Sequence, residues 1–100
     1  MYNKNDKKRL YWLIDQYLSS EIDETEFCDE FYYSYNLEIN EESLNKFEQE
    51  CFLELSKVAD RFSQYNEDHV LDSYAFATVK ELRGKILETK NKLMINMQID

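Results

Sequence analysis

From Leu10 to Phe62, apolar residues return at three- and four-residue spacing, and neither proline nor glycine interrupts them. A proline in a helix interior costs about 3 kcal/mol and a glycine about 1 kcal/mol relative to alanine, so a run free of both reads as helix throughout. The whole chain has one glycine and no proline, with 43% hydrophobic and 15% aromatic residues, which excludes a disordered tail and a turn-rich β protein. One hundred residues make one domain and leave no room for a second. Short connections force neighbouring helices antiparallel. The expected architecture is therefore an all-α, antiparallel four-helix bundle spanning residues 1–100.

The first helix is expected from an N-cap at Asp6 to about Ser19, burying Leu10, Leu13, Ile14, Tyr17 and Leu18. Trp12 falls nearly opposite that face and needs either solvent or a second contact. A second helix begins at Asp23, with Glu26 in the capping-box position and Ile22 and Phe27 placed as a hydrophobic staple. Its buried face is Phe27, Cys28, Phe31 and Tyr35, while Glu26, Asp29 and Tyr33 point outward, a tyrosine among carboxylates. For the third helix, Asn40 is the expected cap, Ile39 and Leu44 the staple, and Leu44, Phe47, Cys51, Leu55, Val58 and Phe62 the buried stripe. Glu48 lies inside that stripe, where an unpaired carboxylate is costly, and Arg83 is its expected partner. The last helix should be capped by Asp72 or Ser73, bury Val79, Leu82, Ile86 and Leu93, and use Gly84 for a close helix contact.

Charge is distributed unevenly. The net charge is −9, yet residues 15–72 hold 17 carboxylates against only Lys46, Lys57 and Arg61, and both ends of the chain are net positive. Segment 21–42 alone has nine carboxylates and no base. Like charges side by side add nothing to helix stability. Solubility accounts for any single carboxylate, but the interleaved tyrosines and Trp12 offer rigid anchoring area that solubility does not require. A field of this sign repels nucleic acid and anionic membrane and favours a basic protein surface.

Signatures of catalysis are missing from the sequence. The single histidine, His69, excludes an H-E-x-x-H zinc site and a di-iron bundle, and the scarcity of glycine excludes phosphate loops. The acidic run DETEFCDE lacks the glycine and the spacing of an EF-hand loop. No catalytic residue, metal or cofactor is expected. Cys28 and Cys51 form no C-x-x-C pair and sit at apolar positions, the pattern of free thiols in a reducing cytoplasm. No stretch reads as a signal peptide or a membrane span, so the chain is expected to be cytoplasmic.

The stretches LIDQYLSSEIDETEFCDEFY and ELSKVADRFSQYNED resemble the colicin D immunity protein family, the self-protective colicin-like immunity proteins. The likeness lies in a first amphipathic helix, the turn with Ser19 and Ile22 leading into Glu26 and Phe27, and Asp60-Arg61-Phe62 before an acidic loop. Such a resemblance implies a small helical antitoxin that binds the basic nuclease domain of a cognate toxin, typically a tRNase, and covers the cleft that would hold RNA phosphates. By position that role falls to Asp60 and the loop carboxylates Glu67 and Asp68. Together with the outward face of the second helix, the expected toxin-binding set is Glu26, Asp29, Tyr33, Asp60, Glu67, Asp68 and Asp72. The competing expectation is a helical adaptor whose acid is mainly solubilising and whose contact is the apolar surface around Trp12.

Overall fold

In the computed structural model, which describes residues 3–62 and 77–99, the chain is built from helices alone apart from one isolated bridge: α1 (Lys7–Leu18), α2 (Glu24–Phe31), a π-helical continuation of α2 (Tyr32–Glu38), a 3-10 turn (Glu41–Ser43), α3 (Lys46–Arg61) and α4 (Val79–Ile99). Among the described residues no helix is long and apolar enough to cross a membrane.

Each start is fixed by a side chain that answers the orphan amides of a first turn. Asp6 accepts the Lys8 N–H at 2.9 Å, and Asp23 accepts that of Glu26 at 2.8 Å, as their positions predict. The turn between α1 and α2 is a Schellman closure: the Glu21 N–H reaches the Gln16 carbonyl at 2.9 Å and the Ser20 N–H reaches Tyr17 at 3.0 Å, with Ser20 left-handed at φ 65°. Helix α3 begins later than expected. Asn40 closes only the 3-10 turn, accepting the Glu42 N–H at 3.0 Å, whereas the N-cap of α3 is Asn45, in a reciprocal capping box with Glu48. At the other end the Ala77 N–H reaches the Arg61 carbonyl at 2.6 Å and Phe62 bridges to Ala77, so α4 starts beside the end of α3. The first turn of α4 as described is served by Thr78, whose hydroxyl accepts the Glu81 N–H at 3.1 Å; Asp72 and Ser73 lie outside the described residues.

Contacts between side chains fix the directions. Tyr17 of α1 meets Glu24 and Phe27, while Arg9, two turns earlier, meets Glu30 and Ser34, so α1 and α2 run antiparallel. Phe52 of α3 packs on Phe31 and Tyr35, and Asp60 lies near Cys28, which reverses direction again. Arg61 pairs with Glu81, and Lys90 pairs with Asp15, so α4 is antiparallel to both α3 and α1. The result is the expected antiparallel four-helix bundle.

Its core runs from Leu10, Ile14 and Tyr17 through Phe27, Phe31, Phe52 and Leu55 to Leu82, Ile86 and Leu93, all at most 2% exposed. Phe27, Phe31 and Tyr35 stack down one side of it, with ring centroids 5.5 and 5.3 Å apart. The buried face of α3 is turned relative to the sequence stripe: Phe52 and Ala59 go in, while Phe47, Val58 and Phe62 are only half-buried. This follows from α3 packing against α2 on one side and α4 on the other. Val79, expected in the core, is exposed. Gly84 marks no close contact either, since a Cβ built there meets nothing within 4 Å.

Glu48 is the buried carboxylate whose partner differs from expectation. Only 4% exposed, it accepts the Asn45 N–H at 2.9 Å, the Lys7 ammonium at 3.2 Å and the Tyr11 hydroxyl. Burial pushes its pKa up, but the Tyr11, Asn45 and Lys7 bonds together outweigh that and hold it below the usual carboxylate range. Arg83 goes elsewhere, its Nε 3.4 Å from the Tyr17 hydroxyl and its guanidinium over the Tyr17 ring. The reason is register: Glu48 sits in the first turn of α3, at the end of the bundle where α1 begins, while Arg83 sits near the start of α4, at the opposite end.

Candidate partner-binding surface

Packing segregates the charge that the sequence distributes unevenly. From Glu24 to Glu38, α2 and its π continuation carry five carboxylates and no base. Helix α4 carries five bases against Glu81 and Glu88, and α1 three bases against Asp15. Both α2 and α4 pack between α1 and α3, which puts the most acidic and the most basic helix at opposite corners of the bundle.

On the acidic side, Glu26 and Asp29 are exposed on the outer face of α2, and Tyr33 is 47% exposed just beyond them. Asp60, at the far end of α3, is exposed as well. The antiparallel packing of α2 and α3 brings Asp29 and Asp60 together around one thiol. Burial, Asp29, Asp60 and Glu24, in that order, push Cys28 up to about 12. Four of the expected site residues thus share the α2 side of the molecule. Glu67, Asp68 and Asp72 lie outside the described residues, as does His69.

Three residues absent from the expected set belong to the same side. Tyr32 is 46% exposed, Leu37 is 56% exposed, and Leu53 of α3 is exposed too. Tyr32 meets Tyr33 edge-on with ring centroids 6.1 Å apart, and the Lys4 ammonium sits 5.1 Å above the Tyr33 ring. Beneath them Ser34 is completely buried, its hydroxyl accepting the Arg9 Nε–H at 2.8 Å. Arg9 also reaches Glu30 at 2.5 Å and lies over the Trp12 ring at 5.5 Å. Trp12 has therefore found its second contact and is half-buried, not the centre of an open apolar face.

At the end of the bundle near the α1–α2 turn, Glu21, Asp23, Glu24 and Glu26 face Arg83 across a shallow polar groove of about 350 Å³. The Tyr17 hydroxyl donates to Glu24 at 2.7 Å there; burial raises its pKa, and Glu24 adds to that against Arg83. Among the described residues no three His, Cys, Asp or Glu side chains converge on a metal-binding group, and both cysteines are free thiols.

Fold and surface define a class: an all-α bundle with one strongly anionic side that bears exposed tyrosines. No protein family, no curated protein and no solved structure matches the chain.

Proposed function

We propose that this protein is a bacterial immunity protein, a non-catalytic inhibitor that binds the basic nuclease domain of a cognate colicin-like or contact-dependent toxin, most plausibly a tRNase, in the cytoplasm. The observation that carries the reading is the segregation of charge: five carboxylates without a base on α2 and its continuation, with Asp60 of α3 drawn to the same side. A nuclease must line its cleft with lysine and arginine to hold phosphates, and carboxylates fixed on a rigid bundle compete for those cations without being cleavable. Inhibition of this kind needs no reaction from the inhibitor. Opposite fields also raise the encounter rate, toward about 10⁸ to 10⁹ M⁻¹s⁻¹ at low salt, which serves a cell that must capture a toxin before it reaches tRNA. The interface in this reading comprises Glu26, Asp29, Tyr33 and Asp60, continued by Glu67, Asp68 and Asp72.

Charge reversal tests it. Asp29→Lys with Asp60→Lys, both exposed, should leave helicity intact and abolish protection of cells that express a candidate cognate toxin. Full protection by the double variant removes both positions from the interface.

A second reading, a helical adaptor, draws on α4, where Leu87, Met94 and Ile95 are exposed among bases. An association through that face depends weakly on salt, whereas one through carboxylates weakens steeply.

A further inference from the structure

The π-helical segment is the least expected feature of the chain. Its i→i+5 bond, from the Ile39 N–H to the Ser34 carbonyl at 2.8 Å, closes a wider turn than an α-helix does. In an α register Leu37 would lie over Ser34 and Tyr33, three and four residues back. In the π register it lies over Tyr33 and Tyr32, four and five residues back. The wider turn thus gathers Tyr32, Tyr33 and Leu37, all exposed, onto one patch, and sends Ser34 inward to Arg9.

Leu53 extends the patch across the seam between α2 and α3. Cys28 and Tyr32 are four apart and follow one line of α2; Leu53 and Asp60 are seven apart and follow one line of α3. Asp60 is close enough to act on Cys28, so the two lines face each other and Tyr32 and Leu53 flank the same seam. Exposed carboxylates of the same elements flank this apolar centre: Asp29, Glu38 and Asp60. An apolar, aromatic centre inside a charged rim is the layout of a protein–protein interface, in which Tyr is enriched among the residues that dominate affinity.

Charge fixes the chemistry of the occupant. The rim is anionic, and the Tyr33 ring already attracts a cation, Lys4. Nucleic acid is repelled by that rim. A second copy of the chain, at net −9, is also disfavoured.

We propose that the π-turn patch of Tyr32, Tyr33 and Leu37, with Leu53 beside it, is the anchoring centre of the interface, and that it enters an apolar pocket rimmed by lysine and arginine on a partner protein. This rests on the inhibitor reading above and deepens it. The carboxylates steer the encounter and the aromatic patch sets the lifetime of the complex. Ser34 and Arg9 are positioning residues, since they hold the wide turn that assembles the patch.

The test uses the full chain and, as probe, the catalytically inactivated nuclease domain of a candidate tRNase toxin, with binding read by calorimetry and stopped flow. Tyr32→Ala with Tyr33→Ala should weaken binding about thirtyfold or more, mostly in the dissociation rate. Leu37→Glu separates anchoring from charge: it adds a carboxylate, so pure attraction predicts equal or tighter binding, whereas anchoring predicts a loss of about tenfold or more. Leu87→Ala with Met94→Ala on α4 serves as a control and should stay within about threefold of the parent. All five positions substituted on the patch and the control are exposed, and circular dichroism with a melting curve confirms that each variant folds. If the parent binds and both patch variants stay within threefold, the anchoring role is overturned while the inhibitor reading stands. If the parent itself does not bind, the inhibitor reading falls and the anchoring role with it.

Discussion

Replacing Glu48 by Gln removes one charge from a buried carboxylate that accepts three hydrogen bonds, and the structure sets the size of the effect. In the parent, Oε1 accepts from Asn45 N–H and Lys7, and Oε2 accepts from Tyr11. Glutamine keeps one acceptor oxygen and gains an NH₂ group: turned toward Tyr11 it takes away the acceptor of the Tyr11 O–H, and turned toward Asn45 and Lys7 it meets only donors. Either Tyr11 or the N-cap amide then loses its bond in a site that is 4% exposed. An unsatisfied buried group costs about 1–3 kcal/mol, and the lost pair with Lys7, whose side chain is 38% exposed, adds at most about 1 kcal/mol. The total, about 1–4 kcal/mol, corresponds to a fall in Tm of roughly 4–30 °C for a domain of this length. The assay is urea unfolding followed by far-UV circular dichroism at pH 7 and at pH 3. The native pKa of Glu48 is lowered, so its contribution is fully present above the unfolded carboxylate value and is lost as pH falls through the native one. The gap between parent and variant should accordingly be wide at pH 7 and shrink at pH 3. A Glu48→Gln protein as stable as the parent at pH 7, or a gap independent of pH, refutes the account of this site. Arg83→Gln, the counterpart for the pairing expected from sequence, should cost little, because Arg83 is exposed and, among the described residues, is held by a long bond to the Tyr17 hydroxyl and its place over that ring.

Gly84→Ala should stabilise the bundle by about 1 kcal/mol, read as a higher urea midpoint with unchanged m-value, since the added methyl meets open space; a destabilised variant refutes the open environment. Ser20→Gly should also stabilise, by up to about 1 kcal/mol, because it relieves a left-handed residue at the Schellman turn; a lower Tm counts against that turn geometry. Cys28, pushed up to about 12 from an ordinary 9.0, should hold roughly a thousandfold less thiolate than a free cysteine, so iodoacetamide at pH 8 should label it only after unfolding in urea. Rapid labelling of the native protein contradicts its burial and acidic surroundings.

Helices α1 and α2 were legible because their caps and apolar faces agree: Asp6 and Asp23 each precede a clean stripe, and the structure puts both at N-caps. The start of α3 was legible in principle and was misplaced. Two asparagines compete there, and Ile39 with Leu44 draws the start toward Asn40, but only Asn45 has a glutamate three residues on. That same capping box explains the polar intruder: Glu48 is buried because it closes its own helix and then gathers Tyr11 and Lys7. A single-helix wheel cannot show this, because two of the three partners come from α1. The π register was not legible at all. Nothing in YYSYNLE differs from an α-helical pattern, and what distinguishes it, the Arg9–Ser34 bond, is a contact between helices. Consequently Glu26, Asp29 and Tyr33 were readable as an outward-facing set and Asp60 came from the family resemblance alone, while Tyr32, Leu37 and Leu53 emerge only from packing.

The account's central claim is that the anionic side of this bundle engages a basic nuclease domain by charge. The most direct measurement is the association rate constant with the inactivated nuclease domain of the candidate cognate toxin, by stopped-flow fluorescence, between low and high salt. The account predicts a rate that falls by about an order of magnitude or more across that range, with Asp29→Lys plus Asp60→Lys already slow at low salt. A rate indifferent to both salt and charge reversal contradicts it.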